Sequence, residues 1–564
     1  MKKLVNDPRR VVRELLEGLV DCNPELAILS EENVILRADI PQEPKQRAVA
    51  LVSGGGSGHE PAHAGFVGYG MLTSAIAGDV FTSPSVDAVL AALRASAGPA
   101  GAVLIVKNYT GDRLNFSLAA EIARAENIPT EVVFVGDDVA LRDRLPRTQS
   151  RGIAGTVLVH KIAGAAVAEG KTAIEVANLA RAVAADLASM GVGLGACTVP
   201  AAGKPGFTLE EDEVEFGLGI HGEKGLRRSH VESADSIARE LLNTILTNYG
   251  GTELPVGLLV NGLGGTPPME LSIIARSALA ELRRRGLTPQ LVWTGEFMTA
   301  LEMPGCSLTL IPLNEERKRL LQAETSARYW PRSASLPTHR YVIDAPKPVN
   351  EEKNYEPSPH AKLMQAIVER VSYELDAQEQ VLTALDAAGG DGDLGASMQR
   401  GAQALRDLPN EAYADPKALF FCMAQALRRA IAGSSGPFYA AGLMRASNTL
   451  PSGTPNAEEW AAAFIAASDS VQKIGGAKVG DRTMVDALEP AARAFEEAIE
   501  AGALPQKALE SASSAADAGA HATKTMQPKF GRAAYLGERA VGTVDGGAMA
   551  VSIWMTALQE GLAG

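Results

Sequence analysis

The chain has 564 residues, 46% hydrophobic and 21% charged, with 67 acidic side chains against 53 Lys and Arg and a net charge of −14. This composition excludes a disordered or collagen-like chain and can fill several cores, about three or four domain-sized units at the usual domain length. The acidic balance argues against a nucleic-acid polymer as partner, because such binding needs a basic footprint, yet it leaves room for small anions held by backbone N–H groups or metal ions.

In chain order, short β-rich runs end repeatedly in Gly-, Asn- or Asp-rich turns: Ala48–Val52 before Ser53-Gly54-Gly55-Gly56, Ala102–Val106 before Lys107-Asn108-Tyr109, and Val132–Val135 before Gly136-Asp137-Asp138. Between them, Ser85–Ala95 and Asn115–Ala125 carry helical spacing. Strands alternating with helices predict a mostly parallel sheet covered on both faces. The pattern returns at Pro255–Val260, Gln290–Trp293 and Ser307–Ile311, so a first α/β subdomain is expected over residues 1–190 and a second over 191–335. Residues 336–359, rich in Pro, Ser, Lys and Glu, read as a linker. From 360 to 564 the chain is Ala-rich, with apolar residues three and four apart as in Leu363, Ala366, Ile367 and Val371, and no strand run stands out. An all-helical domain of about six to eight helices is expected there.

No stretch approaches the roughly 20 apolar residues that cross a bilayer, and Met1 to Arg10 has no signal-like apolar run. Cys22, Cys197, Cys306 and Cys422 form no CxxC and no regular spacing, which suggests neither a zinc site nor a disulfide framework. A soluble cytoplasmic protein is expected.

The loop Asp386-Ala387-Ala388-Gly389-Gly390-Asp391-Gly392-Asp393-Leu394-Gly395 follows an amphipathic segment. Three carboxylates on a tight glycine turn repel one another unless a cation offsets them, and hard oxygen ligands suit Mg²⁺. An EF-hand fails, since the twelfth residue from Asp391 is Ala402 in place of Glu. A solvated Gly/Asp turn is the alternative. Gly433-Ser434-Ser435-Gly436-Pro437, Gly480 to Asp486, and Gly531-Arg532 through Asp545-Gly546-Gly547 are further polar loops in the same region, and together they favour a bound polyphosphate with its metal. In the first half, Ser53 to Pro61 follows a strand but is neither a Walker A loop nor GxGxxG. Gly217-Leu218-Gly219-Ile220-His221-Gly222 matches GxGxxG literally; the acidic run Glu210–Glu213 before it predicts no buried strand, so it is discounted. His59 and His221 sit in glycine-rich loops and Asp112 closes Lys107 to Asp112, each as a reactive group or a plain polar loop residue. His63, His160 and His230 show no clear role.

These runs, with Asp79 to Ser85 and Gly152 to Thr156, stand in one order along nearly the whole chain, which resembles the single-chain ATP-dependent dihydroxyacetone (glycerone) kinases. The resemblance implies an α/β substrate module of two subdomains followed by an all-α helical-barrel nucleotide module. It implies that His221 binds a ketone covalently as a hemiaminal, that His59 and Asp112 bond the substrate hydroxyls and help remove a proton, and that Gly56, Ser57, Gly58 and Lys107 complete the pocket. Asp386, Asp391 and Asp393 would hold two Mg²⁺ on the ATP phosphates. Leu394, Gly395, Ala396, Ser397, Ser434 and Ser435 would hold phosphates, Gly475 and Met484 would border the nucleotide, and Arg532 with Asp545, Gly546 and Gly547 would close the site. A homodimer is expected from the same resemblance. The substrate would be dihydroxyacetone, or erythrulose or another short ketose. Some relatives cyclise FAD with the nucleotide module alone, and a non-catalytic regulatory protein is the reading from another class. Three departures stand out: Ala388-Gly389 where the family often has Lys-Val, Leu394 where it has Thr, and Asp545-Gly546-Gly547 for Asp-Pro-Gly.

Overall fold

Runs of small and β-branched residues become strands where both faces are covered. In this computed structural model, which describes residues 2–249, 255–332, 335–346 and 359–563, the chain forms two compact units, Met1–Asp344 and Ala345–Gly564. The first sheet holds β1 (Leu26–Ile28), β2 (Val34–Arg37), β3 (Ala50–Ser57), β4 (Ser74–Val80), β5 (Ala102–Lys107) and β6 (Thr130–Val135) in the spatial order β1-β2-β4-β3-β5-β6. The last four are parallel, with β1 and β2 an antiparallel edge. Every residue of β3 and β5 is buried, which is why these strands read as continuous apolar or small runs. Alternation still sorts their faces: Val52 and Leu104 pack under helices Val86–Ser96 and Thr110–Ala125, while Leu51, Val103 and Ile105 pack under helices Thr156–Ala168 and Ala173–Asp186.

The second sheet holds β7 (Ala188–Gly193), β8 (Glu213–Phe216), β9 (Arg227–His230), β10 (Val256–Gly262), β11 (Pro289–Gly295) and β12 (Gly305–Pro312), ordered β11-β10-β12-β7-β8-β9. Only β10 and β11 run parallel, so the expectation of a mostly parallel sheet fails for this half. The reason lies in the connections: β11 to β12 and β7 to β8 to β9 are joined by loops, whereas parallel neighbours need a crossover such as helix Pro268–Arg284 between β10 and β11. β8 is also a correction. The acidic run ends in a buried strand, because the carboxylate of Glu215 accepts from the Gly225 N–H at 2.6 Å and from Arg228 Nε at 3.1 Å. The GxGxxG after it does follow a strand, but no helix opens before Ala234, so it lacks the helix N-terminus that a dinucleotide fingerprint needs.

Of the expected linker 336–359, residues 347–358 lie outside the described residues. The second unit is helical throughout its described residues, with ten α-helices in place of six to eight, from Ala361–Ala377 and Glu379–Ala387 to Gly546–Ala563. The count rises partly because apolar periodicity runs straight through the break at Gln378. Asp415 with Pro416 at the next position, and Asn456 with Glu459 in a capping box, start two of them. Ala508, Ala512, Ala516 and Ala520 line one buried face of helix Pro505–Ala522, and a Cβ on Gly519 would stand 2.0 Å from the carbonyl of Asp486. Small residues therefore let this helix press on the start of helix Val485–Glu500.

Candidate active site

In the first unit the carboxyl ends of β3 and β5 supply the loops. Gly56 is required by close approach: a Cβ there would lie 2.6 Å from the Thr82 backbone nitrogen. Gly58 has φ +97°, a left-handed conformation that L side chains rarely adopt. The Ser57 hydroxyl donates to the Gly78 carbonyl at 2.7 Å, so this residue offers a ligand its backbone. His59 follows, fully buried, with Phe81 stacked on its ring at 5.1 Å. Its Nδ1 is 2.7 Å from the Thr299 carbonyl and its Nε2 is 3.1 Å from Nε2 of His221. His221 stands on the loop after β8, where its Nδ1 donates to Glu223 Oε1 at 2.8 Å and its backbone N–H to Oε2 at 2.9 Å.

Lys107 ends β5 and Asp112 lies in the first turn of helix Thr110–Ala125; both are buried, and Lys107 Nζ and Asp112 Oδ1 have no hydrogen-bond partner among the described residues. Tyr109 bridges the groups, with Lys107 Nζ 5.6 Å from its ring centre and its ring edge-on to His221 at 4.7 Å. Burial pushes Lys107 down from the ordinary lysine range, while Asp112, Glu223 and Glu60 pull it back up. Burial also holds His59 well below the usual imidazole value, helped by the positive charges of Lys107 and His221. Burial would raise Glu223, but the hydrogen bond and charge of His221 outweigh it and bring it to about 2.

In the helical unit, Asp386 lies in the last turn of helix Glu379–Ala387 and Asp393 immediately precedes helix Leu394–Arg406, with Asp391 between them. One carboxylate oxygen of each comes within 4.8 Å of the others. Asp386 Oδ2 accepts from the N–H groups of Asp393 and Leu394 at 2.9 and 3.2 Å, Gly392 turns the loop at φ +75°, and Arg532 pairs with Asp391. Three hard oxygen donors on a backbone-braced turn fit Mg²⁺. Gly395 and Ala396 open the same helix, and buried Ser397 accepts from Arg400 Nη2 at 2.8 Å. Leu394 touches the far side of the site, since a Cβ on Gly546 would lie 2.9 Å from its Cδ2, and one on Gly547 would lie 3.5 Å from Met484 Cβ. Half-buried Asp545 is raised by desolvation to about 6 and caps helix Gly546–Ala563 by accepting from the Ala548 N–H at 2.9 Å. Ser434 and Ser435 begin helix Ser435–Thr449, and Gly475 meets that helix at Phe438.

A Dak1 domain matches residues 17–329 and a DAK2 domain matches residues 388–560. The chain belongs to the dihydroxyacetone kinase family. Triokinase/FMN cyclase of Homo sapiens is 42% identical over 573 residues, covering 99% of each chain. Dihydroxyacetone kinase of Citrobacter freundii is 36% identical over 563 residues and D-erythrulose kinase of Mycolicibacterium smegmatis 34% over 568, with 98% of this chain covered by each and 98% and 97% of those relatives. A crystal structure of the C. freundii kinase with AMP-PNP and Mg²⁺ superposes with TM-score 0.65 at 34% identity, covering 99% of each chain. Among the described residues no helix is long and apolar enough to cross a membrane.

Sequence reasoning missed several groups beside the kinase-family residues. Glu223 could have been noticed two residues after His221 on a glycine-flanked loop. The Thr299 carbonyl carries no signal, because a backbone oxygen 240 positions from His59 is chosen only by the fold. His63 and His160 are both buried and both approach the Ser53 hydroxyl, at 3.4 and 3.1 Å.

Proposed function

We propose that this protein is an ATP-dependent dihydroxyacetone kinase that holds the ketone as a hemiaminal on His221 while a substrate hydroxyl receives the γ-phosphoryl group. The approach of the two Nε2 atoms at 3.1 Å carries this reading. A carbonyl can only accept, so His59 Nδ1 bears hydrogen; the ionised Glu223 likewise keeps hydrogen on His221 Nδ1. Two nitrogens at this distance then need one proton between them. Burial and the charge of Lys107 disfavour a cationic His59, so its Nε2 accepts that proton from His221 only in passing, freeing the His221 lone pair as the ketone oxygen arrives to take the proton on.

The His221 Nε2 pair then forms the N–C bond to the ketone carbon, the C=O π pair moves to oxygen, and His59 returns the proton to that oxygen. The alkylated ring is a cation that Glu223 balances. Because a neutral imidazole adds to a ketone and not to an alcohol, the site selects by reaction type. Asp112 is the base for the attacking hydroxyl: its oxygen takes the proton as the O–P bond forms and the bond to ADP breaks. The buried ammonium of Lys107 supplies a donor to a substrate oxygen. Mg²⁺, two ions in this reading, bound by Asp386, Asp391 and Asp393 would neutralise phosphate charge. Leu394 to Ser397, Ser434, Ser435, Gly475, Met484, Arg532 and Asp545 to Gly547 line the nucleotide side.

The test is a kinetic comparison of dihydroxyacetone, D- and L-erythrulose and glyceraldehyde with Mg-ATP, joined to intact mass spectrometry. A ketose adduct lost in His221→Ala supports the reading; full activity in that variant overturns it. A preference for erythrulose would move the substrate within the same mechanism, a possibility favoured by the name of the M. smegmatis relative. The name of the human relative favours a second activity, cyclisation of a flavin nucleotide at the helical unit, which an assay of FAD with Mn²⁺ tests. A homodimer belongs to the same proposal, and sedentation of the protein through a density gradient reports it.

A further inference from the structure

The hydrogen bonds that fix His221 have a support of their own. Arg151 is 12% exposed and is locked on one side: Nε donates to Asp138 Oδ2 at 2.8 Å, Nη2 lies 2.6 Å from the same oxygen in an ion pair, and Nη2 donates to the Gly217 carbonyl at 2.6 Å. Asp138 is itself buried and accepts the Ala140 N–H at 2.9 Å through its other oxygen. The remaining nitrogen, Nη1, faces Glu223. A Cβ built on Gly219 would stand 2.0 Å from Glu223 Oε2 and 2.7 Å from Arg151 Nη1, so carboxylate and guanidinium border the notch that this glycine leaves, with no hydrogen bond or ion pair joining them. Half-buried Tyr109 lies edge-on to His221.

We propose that Arg151, braced by Asp138, is a positioning residue that fixes the loop carrying His221 through the Gly217 carbonyl and, across the Gly219 notch, attracts the Glu223 carboxylate that holds His221, so keeping Nε2 as the ketone-reactive nitrogen. The proposal rests on the reading of His221 as the covalent site. Its logic is electrostatic and geometric. Alkylation of Nε2 leaves a cationic ring whose partner must remain an ionised, correctly aimed carboxylate, and the planar fork of Arg151 can bind Asp138 and the Gly217 carbonyl while still presenting Nη1. A lysine has one nitrogen and cannot hold all three directions at once. Asp138 offsets the charge of Arg151, so the pair steers the carboxylate without adding net charge beside the histidine.

The experiment uses the full chain and dihydroxyacetone labelled with ¹³C at the ketone carbon, following the hemiaminal carbon by NMR together with steady-state kinetics. Wild type shows the signal. Arg151→Lys and Gly219→Ala are each expected to lower the bound fraction and to raise KM for the ketone about 10- to 100-fold, the scale of a hydrogen bond to a charged group, with KM for Mg-ATP unchanged. Gly219→Ala guards against misfolding of the Arg151 variant, since its Cβ meets only the ends of flexible side chains. A wild-type adduct that persists undiminished in both variants overturns the role of Arg151 alone. Loss in Gly219→Ala with none in Arg151→Lys also overturns it, leaving the task to Glu223. Absence of the signal from wild type overturns the His221 reading and this proposal with it.

Discussion

The histidine pair of the first unit and the aspartate loop of the helical unit are built in opposite ways. His59, Lys107 and Asp112 are buried, braced by backbone and aromatic rings, with donors and acceptors left open. Asp391 and Asp393 are exposed, and their mutual repulsion is opposed by Arg532 and by the glycine turn. A desolvated site is set before its ligand arrives, because removing water from nitrogen and carboxylate has already been offset by folding. An exposed acidic loop gains its order from the cation it takes up. Substitutions in the first should therefore damage chemistry, and substitutions in the second should damage affinity.

The contrast is broken most severely if His221→Ala behaves like an affinity variant. The expected result is loss of the ketose adduct and a fall in kcat/KM on the order of 10³-fold or more, with nucleotide affinity kept, as read by mass spectrometry and by titration with Mg-AMP-PNP. Asp391→Asn should do the reverse: Mg²⁺-dependent nucleotide binding weakens by about 10-fold or more in calorimetry, while the ketose adduct still forms. Gly519→Ala drives a Cβ into the Asp486 carbonyl and should cost about 1–3 kcal/mol of helical-unit stability in urea denaturation.

Acid sharpens the comparison further. Burial, then Lys107, holds His63 well below its ordinary value and brings His160 to about 3. Unfolded, each would take up a proton near pH 6.5, so the unfolded chain binds more protons than the folded one below that pH. Stability is present above about pH 6.5 and is lost as pH falls toward 3, by about 1.4 kcal/mol per pH unit for each histidine. In His160→Gln the slope of stability against pH between 6 and 4.5 should flatten by that amount, whereas the helical unit, which has no comparably buried histidine among the described residues, should not share it.

How far the sequence spoke depended on the distance over which each fact is decided. Continuous runs such as Ala102–Val106 and the three-and-four spacing after Leu363 are local, and they announce buried strands and helices directly. Strand direction in the second sheet is decided by connection lengths and pairing partners, which no single run contains. β8 was hidden because Glu215 looks solvated until Arg228 and the Gly225 N–H, ten and more residues later, neutralise it. At the site, the glycine-flanked histidines and the three aspartates stood out as residue types. The meeting of His59 with His221 spans 162 positions, and Lys107 with Asp112 in one buried pocket depends on where β5 stops. Arg151 gave no signal at all, since an arginine before a glycine turn is ordinary until Asp138 and the Gly217 carbonyl close around it.

The contact between Leu394 and Gly546 links two departures from the family pattern into one. The methyl of residue 394 stands where a side chain on 546 would begin, 2.9 Å from its Cβ position. Restoring a proline at 546 by itself would meet a wall, and shrinking Leu394 by itself would open a void. Breeding this enzyme toward its relatives would thus have to change both positions together, and the intermediate with only one changed would be the poorer protein in either order.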